Sequence, residues 1–334
     1  MSNQINIAIM GFGHIGRYIY ENTLDSNLFN VKVISDIGNI DSLNYLLNNN
    51  LRNKNIGVHI EDDTFVYKSN KTKFINGIEP GDINWNNYGV DWVVDATGKF
   101  LDKAILNKHI EAGAKRVILA SLPNNELDNF IIPGLNDLDV KESDKIISAG
   151  SSTTNAFGLM LKCLNEFSEI ECCSLTTIHS YTSDQPLLDI ASPDLKRSRS
   201  AAKNIIPNHN LSSQWIEKIL PEFRGKVFST ALNVPVQFGS LLDITTVFKN
   251  NIDNEEQVNL AIDGLALEYP HLVRVTSDPI VSSDVIGTKE SFVFDRLGTL
   301  KVGDNMVKTL AWYDNGYNHA SRILDVISLY KDLK

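Results

Sequence analysis

Two short stretches of the chain hold residue types at spacings from which chemistry can be built. The first is "GFGHIG", which places Gly11, Gly13 and Gly16 directly after the strand-like run "INIAIM" and ahead of a helical stretch. Asp36 follows about twenty residues past Gly16, at the end of the next strand-like run. Alone, GxGxxG is a tight turn, and Asp36 alone is a strand-end acid. With a strand before and a helix after they form a dinucleotide fingerprint. The glycines let the backbone approach a pyrophosphate on the helix N-terminus, and the carboxylate accepts from the adenine ribose. A carboxylate there also repels a 2′-phosphate, so NAD is expected over NADP. Gly11, Phe12, Gly13, His14, Ile15, Gly16 and Asp36 are the expected cofactor residues.

The second stretch is "SSTTN", residues 151–155, between the strand-like "KIISAG" and the helical "AFGLMLKCLNEF". Serine at such a turn serves as a helix cap, and the same geometry leaves backbone N–H groups free to hold an oxyanion. Ser152 stands where an acyl-transfer nucleophile would sit and is a candidate catalytic residue, with Ser151 and Thr153 as candidate substrate contacts. His179, in "TTIHSYTSDQ", is the candidate acid/base. A strand histidine also serves purely structural ends, but Ser180, Thr182 and Asp184 set polar groups around this one in an otherwise apolar region.

These residues need elements to position them. Over the first 150 residues, near-continuous apolar runs ("INIAIMG", "VKVISD", "VDWVVDAT", "RVILAS", "KIISAGS") alternate with helical stretches. That pattern predicts a parallel, doubly wound Rossmann sheet covered on both faces, interrupted by a hairpin at "TFVYKS" and "KTKFING". Beyond "SSTTN" the helix is apolar nearly all round, and long strands follow without regular crossover helices. This half is expected to be a mostly antiparallel α+β domain. The expected division is a cofactor domain over 1–150 completed by the C-terminal helix 316–334, and a substrate domain over 151–315. The stripe Ile323, Leu324, Ile327 and Tyr330 returns that helix to the first domain. The segment 184–213, with Pro186, Pro193 and Pro207 and a basic cluster, reads as a long functional or interfacial loop.

Composition narrows the partners. A net charge of −10 over 334 residues argues against default affinity for nucleic acid or anionic membrane. Cys163, Cys172 and Cys173 have neither disulfide-framework nor metal-ligand spacing, so no metal is expected. No apolar run reaches transmembrane length, and the first strand begins too early to leave room for a signal peptide, which points to the cytoplasm.

The motifs "GFGHIGR", "DATGKF", "EAGAKRVI", "SSTTN", "TTIHSYTSDQ", "DLKRSRSAAKNIIP", "LPEFRGKV" and "WYDN" occur in order across both halves, and with them the chain resembles phosphorylating glyceraldehyde-3-phosphate dehydrogenases from end to end. The resemblance implies that Thr97 lines the NAD cleft and that Asn315 binds the nicotinamide amide and sets its exposed face. It puts His179 in the place of the family's general base, Thr182 and Asp184 at the substrate, and a homotetramer as the assembly. Nearly all of the departures fall around the substrate. Ser152 stands in place of the catalytic cysteine, and Asn233 in place of a phosphate-gripping arginine. Asn210 and Leu211 replace a threonine and glycine of the inorganic phosphate pocket, Gly316 an acid, and Ala120 a serine. Three readings follow: an NAD-dependent oxidoreductase passing hydride directly to or from a small carbonyl, alcohol or aldehyde substrate; an NAD-binding pseudoenzyme acting as sensor or partner; and a conventional dehydrogenase with a cysteine exchanged for serine.

Overall fold

The computed structural model describes residues 4–50, 55–77, 79–331 and 333. They divide into two compact units. The first holds the described residues up to Ile131, Asp137–Gly150 and those from Ala320 onward; the second holds Ile132–Asn136 and Ser151–His319.

The first unit runs β1 (Ile5–Met10), α1 (His14–Thr23), β2 (Phe29–Asp36), α2 (Ile40–Asn48), β3 (His59–Glu61), β4 (Thr64–Tyr67), β5 (Asn70–Asn76), β6 (Trp92–Asp95), α3 (Lys103–Glu111), β7 (Arg116–Leu119), β8 (Asn129–Phe130) and β9 (Ile146–Ser148). Among the described residues these strands form a nine-stranded sheet ordered β3-β4-β5-β2-β1-β6-β7-β9-β8. From β5 to β8 every pair is parallel; β4–β5 is the expected antiparallel hairpin, and β3 adds a further antiparallel pair with β4. Strand β1 pairs with β2 on one side and β6 on the other, so the winding reverses there. The crevice at the carboxyl ends of β1 and β6 is where an open α/β sheet receives a ligand.

The second unit opens with α4 (Ser152–Phe167), whose N-cap Ser151 accepts the Thr154 N–H at 3.2 Å. It continues through β10 (Ile170–Ser180), β11 (Ile206–His209), α5 (Ser212–Ile219), β12 (Val227–Val234), β13 (Ser240–Phe248), α6 (Glu255–Glu268), β14 (Val273–Thr276), β15 (Phe292–Val302) and β16 (Met306–Tyr313). The sheet order is β11-β12-β10-β13-β16-β15-β14; β10–β12 and β14–β15 are parallel and the other pairs antiparallel. Strict alternation of burial along β13 and β16 turns one face into the core. There Leu242, Ile244 and Val307 meet Leu159, Leu161 and Leu164 of α4 and Ile262 of α6. Helix α7 (Tyr317–Leu329) spans the division between the units at Ala320. In the first unit its continuation buries Tyr330, whose hydroxyl donates to Asp144 at 2.7 Å and whose ring packs on Trp92.

One expectation is corrected. The segment 184–213 is not all loop, because β11 and the start of α5 lie in it. Pro207 argues against a strand, yet β11 is the sheet edge, where a missing N–H is tolerated. Helices α5 and α6 stand between strands without making regular βαβ crossovers, as the expected α+β domain requires. Exposed Leu260 and Leu267 blur the apolar stripe of α6. Among the described residues no helix is long and apolar enough to cross a membrane.

Candidate active site

The cofactor cradle is built by what the chain leaves out. Gly11 turns at φ +89°, and a Cβ there would lie 2.7 Å from the Ala96 carbonyl carbon and the Thr97 nitrogen. A Cβ on Gly16 would lie 2.1 Å from the Gly11 oxygen. The protein's own packing requires both glycines. Gly13 differs: it is exposed, and its Cβ would meet nothing within 4 Å. It is also the N-cap of α1 with no side-chain cap, whereas Asn39, Ser151 and Asn254 cap α2, α4 and α6. No side-chain cap thus closes the N-terminus of α1, where the helix dipole favours an anion.

Asp36 is pre-set beside them. Its Oδ2 accepts the Phe12 N–H at 2.6 Å and its Oδ1 accepts the Gly38 N–H at 2.7 Å, and each oxygen keeps a lone pair. Phe12 is fully buried against Tyr20 and Phe65, His14 packs on the Tyr18 ring, and Ile15 is half-buried. Arg17 donates to the Phe12 carbonyl at 3.1 Å and steadies the loop from the helix side. At the end of β6, buried Asp95 accepts from the Thr97 N–H at 3.0 Å and the Thr97 hydroxyl at 2.6 Å. A cleft of about 370 Å³ is lined by Gly11, Gly13, Asp36, Ile37, Glu79 and Thr97, among others.

In the second unit Ser151, Ser152 and Thr153 begin α4, with Ser152 and Thr153 buried. Thr153 Oγ1 lies 2.8 Å from the Tyr313 hydroxyl, and Thr177 Oγ1, on β10, lies 2.8 Å from the same oxygen. The Tyr313 ring meets His179 edge-on, with centroids 6.2 Å apart. Tyr313 thereby ties the start of α4 to the histidine strand. Burial holds its phenol above the ordinary tyrosine pKa, so it stays neutral.

His179 Nδ1 is 2.6 Å from the Ser180 carbonyl. A carbonyl only accepts, so Nδ1 carries the proton and Nε2 is the basic nitrogen. Burial pushes the imidazole below the ordinary 6.5, against the opposing pull of the Ser180 carbonyl and Asp184. Asn233 sits opposite His179 in the β10–β12 register; its Oδ1 accepts from Asn208 at 3.2 Å, and its Nδ2 lies 3.5 Å from the Ser180 carbonyl. Thr182 donates to Asp184, which is ion-paired with Arg197. Asn315 accepts the Ser180 hydroxyl at 2.9 Å. Asn210 serves its own turn, accepting from the Ser212 N–H at 2.8 Å. Cys163 and Cys173 are buried and their thiols are pushed up to about 12 by desolvation, so neither supplies a thiolate near neutral pH.

Comparison with known proteins identifies this arrangement. Residues 5–103 match the family model "Glyceraldehyde 3-phosphate dehydrogenase, NAD binding domain", and residues 151–315 match the corresponding C-terminal domain. The chain belongs to the glyceraldehyde-3-phosphate dehydrogenase family. It is 34% identical over 332 residues to the glyceraldehyde-3-phosphate dehydrogenase of Borreliella burgdorferi, covering 96% of this chain and 98% of that protein. Bacillus subtilis has two such relatives. Glyceraldehyde-3-phosphate dehydrogenase 1 is 34% identical over 333 residues, covering 96% and 97% of the two chains. Glyceraldehyde-3-phosphate dehydrogenase 2 is 35% identical over 328 residues, covering 97% and 96%.

The protein is thus a member of an NAD-dependent dehydrogenase family, and NAD is its cofactor. The cradle fits that group: open Gly13, uncapped α1 and oriented Asp36 all lie within the matched NAD-binding region. Residues not singled out from the sequence also contribute to the site. Glu79 lines the cofactor cleft, Tyr313 links α4 to β10, and Asn208 holds Asn233. Arg197 was visible only as part of a basic cluster. Tyr313 lay inside the "WYDN" motif, but nothing in its spacing announces Thr153 as a partner.

Proposed function

We propose that this glyceraldehyde-3-phosphate dehydrogenase relative works on a redirected substrate by direct hydride transfer, without a covalent thioester. The observation that carries the reading is a basic Nε2 on His179 combined with a hydroxyl, not a thiol, at Ser152. The cofactor domain comprises 1–150 with the C-terminal helix 316–334, and the substrate domain 151–315. Gly11 to Gly16, Asp36 and Thr97 hold the cofactor, with Asn315 on its nicotinamide amide. Bound NAD supplies the hydride acceptor.

In the oxidative direction His179 Nε2 takes the proton of the substrate hydroxyl as hydride leaves the same carbon, producing a carbonyl. In the reverse direction the imidazolium returns that proton to the oxygen. Ser152 and the first-turn amides of α4 other than that of Thr154, which the Ser151 cap takes, polarise the substrate oxygen, while Ser151, Thr153, Thr182, Asp184, Asn210 and Asn233 line its surroundings. Asn233 supports an altered phosphate site: a neutral amide engaged with Asn208 offers neither the charge nor the fork of an arginine. We place the protein in the cytoplasm as a homotetramer. In support, the 184–213 segment exposes Leu187, Leu188, Ile190 and Leu195, apolar area suited to burial against another subunit.

The test is NADH absorbance against a panel of small aldehydes, ketones and polyols, alongside phosphate-dependent oxidation of glyceraldehyde 3-phosphate. Turnover within the panel and negligible phosphorylating activity are expected, and Ser152→Cys alone should recover little of the latter. A fully active phosphorylating enzyme on that single change would sink the proposal. Tight NADH binding without turnover of any panel member would favour the non-catalytic reading.

A further inference from the structure

Ser180 ends β10, is fully buried, and its polar atoms reach both groups assigned to the chemistry. Its carbonyl accepts His179 Nδ1–H at 2.6 Å, and its N–H donates to Ser240 Oγ at 3.2 Å. Its hydroxyl lies 2.9 Å from Asn315 Oδ1 and 3.5 Å from Ser240 Oγ. A hydroxyl has one proton to give. Donated across the shorter contact, it holds Oδ1 of Asn315 toward β10 and turns the two Nδ2 donors away.

The backbone around Asn315 is fixed separately. Asp314 accepts from the Gly287, Gly316 and Tyr317 N–H groups at 2.7, 2.9 and 3.0 Å. With its neighbours pinned, the freedom left to Asn315 is rotation of its side chain, and the Ser180 hydroxyl is what sets it. We infer that Ser180 is a positioning residue for the nicotinamide carboxamide: through Asn315 it presents amide donors to the carboxamide oxygen. Its backbone carbonyl meanwhile fixes the tautomer of His179. The inference rests on the assignment of Asn315 to the cofactor made above. One residue serves both groups by separate atoms, so a side-chain change parts them.

The experiment titrates the full chain with NADH and with ADP-ribose, which lacks the nicotinamide. Ser180→Ala is expected to raise the Kd for NADH by roughly three- to tenfold, the effect of one lost hydrogen bond, and to leave that for ADP-ribose unchanged. Asn315→Ala added to Ser180→Ala should weaken NADH by less than the two single effects combined. Ser180→Cys keeps the side chain near its native size with only a weak donor, and is expected to shift NADH in the same direction. It serves if the alanine variant fails to fold. An unchanged NADH Kd, or equal losses on both ligands, overturns the role of Ser180. If the unaltered protein binds ADP-ribose but gains nothing from the nicotinamide half, the assignment of Asn315 fails first. If it binds neither ligand, the cofactor assignment itself is wrong.

Discussion

The glycine-rich turn of the first unit and the polar constellation of the second are built on opposite plans. The turn works through backbone: Gly11 and Gly16 are forced by contacts at 2.7 and 2.1 Å, whereas a Cβ on Gly13 would meet nothing within 4 Å. Its donors are main-chain amides that any sequence supplies once the conformation is reached. The constellation works through side chains distant in sequence, Thr153 and Thr177 on Tyr313, Asn208 on Asn233, and Ser180 on Asn315. Each such pair can be retuned by substituting one partner. Backbone donors are therefore indifferent to side-chain substitution, while a side-chain pair changes with either partner.

The sharpest way to break this contrast is at the histidine. His179→Ala is expected to lower kcat/KM by roughly 10²–10⁴-fold, the range of a lost general base, with NADH affinity kept. Ser152→Ala should cost only about tenfold, because α4 amides back up the hydroxyl. Equal losses would assign Ser152 a nucleophilic role. Oxidation needs the neutral imidazole, whose pKa is depressed by burial. Oxidative kcat/KM should therefore fall as pH drops, with a midpoint below the ordinary histidine value, and the reductive direction should gain over the same interval. A midpoint above that value contradicts the desolvated base.

Next in size are the glycines. Gly16→Ala sets a methyl against the Gly11 oxygen and should destabilise the fold by roughly 2–3 kcal/mol, read from denaturant unfolding. Gly13→Ala should leave stability within about 0.5 kcal/mol and weaken NADH binding instead. If both changes act alike, Gly13 serves packing and the cradle has been misread.

The smallest effect is expected at the ribose. Asp36→Ala should weaken NAD binding about tenfold, as expected for hydrogen bonds to a charged acceptor, and narrow its preference over NADP. Equal affinity for NAD and NADP in the unaltered protein would leave Asp36 with only its structural work on Phe12 and Gly38.

What the sequence determined by itself is what arises locally or periodically. Continuous apolar runs specified the parallel sheet, and long strands without regular crossover helices specified the mostly antiparallel one. The glycine spacing between strand and helix, with Asp36 beyond, is likewise a local pattern, and it lies inside the region that matches the NAD-binding family model. Edge strand β11 escaped because Pro207 speaks against a strand unless its edge position is known, and edge position is a property of the whole sheet. The tautomer of His179 and the partnerships of Tyr313, Asn233 and Ser180 were decided only by tertiary structure. Thr153 and Tyr313 are 160 residues apart, as are no two members of the cradle, and no local pattern encodes such a pair. A hydrogen bond between side chains depends on where two elements are carried by the packing of everything between them, so it exists only once the fold does.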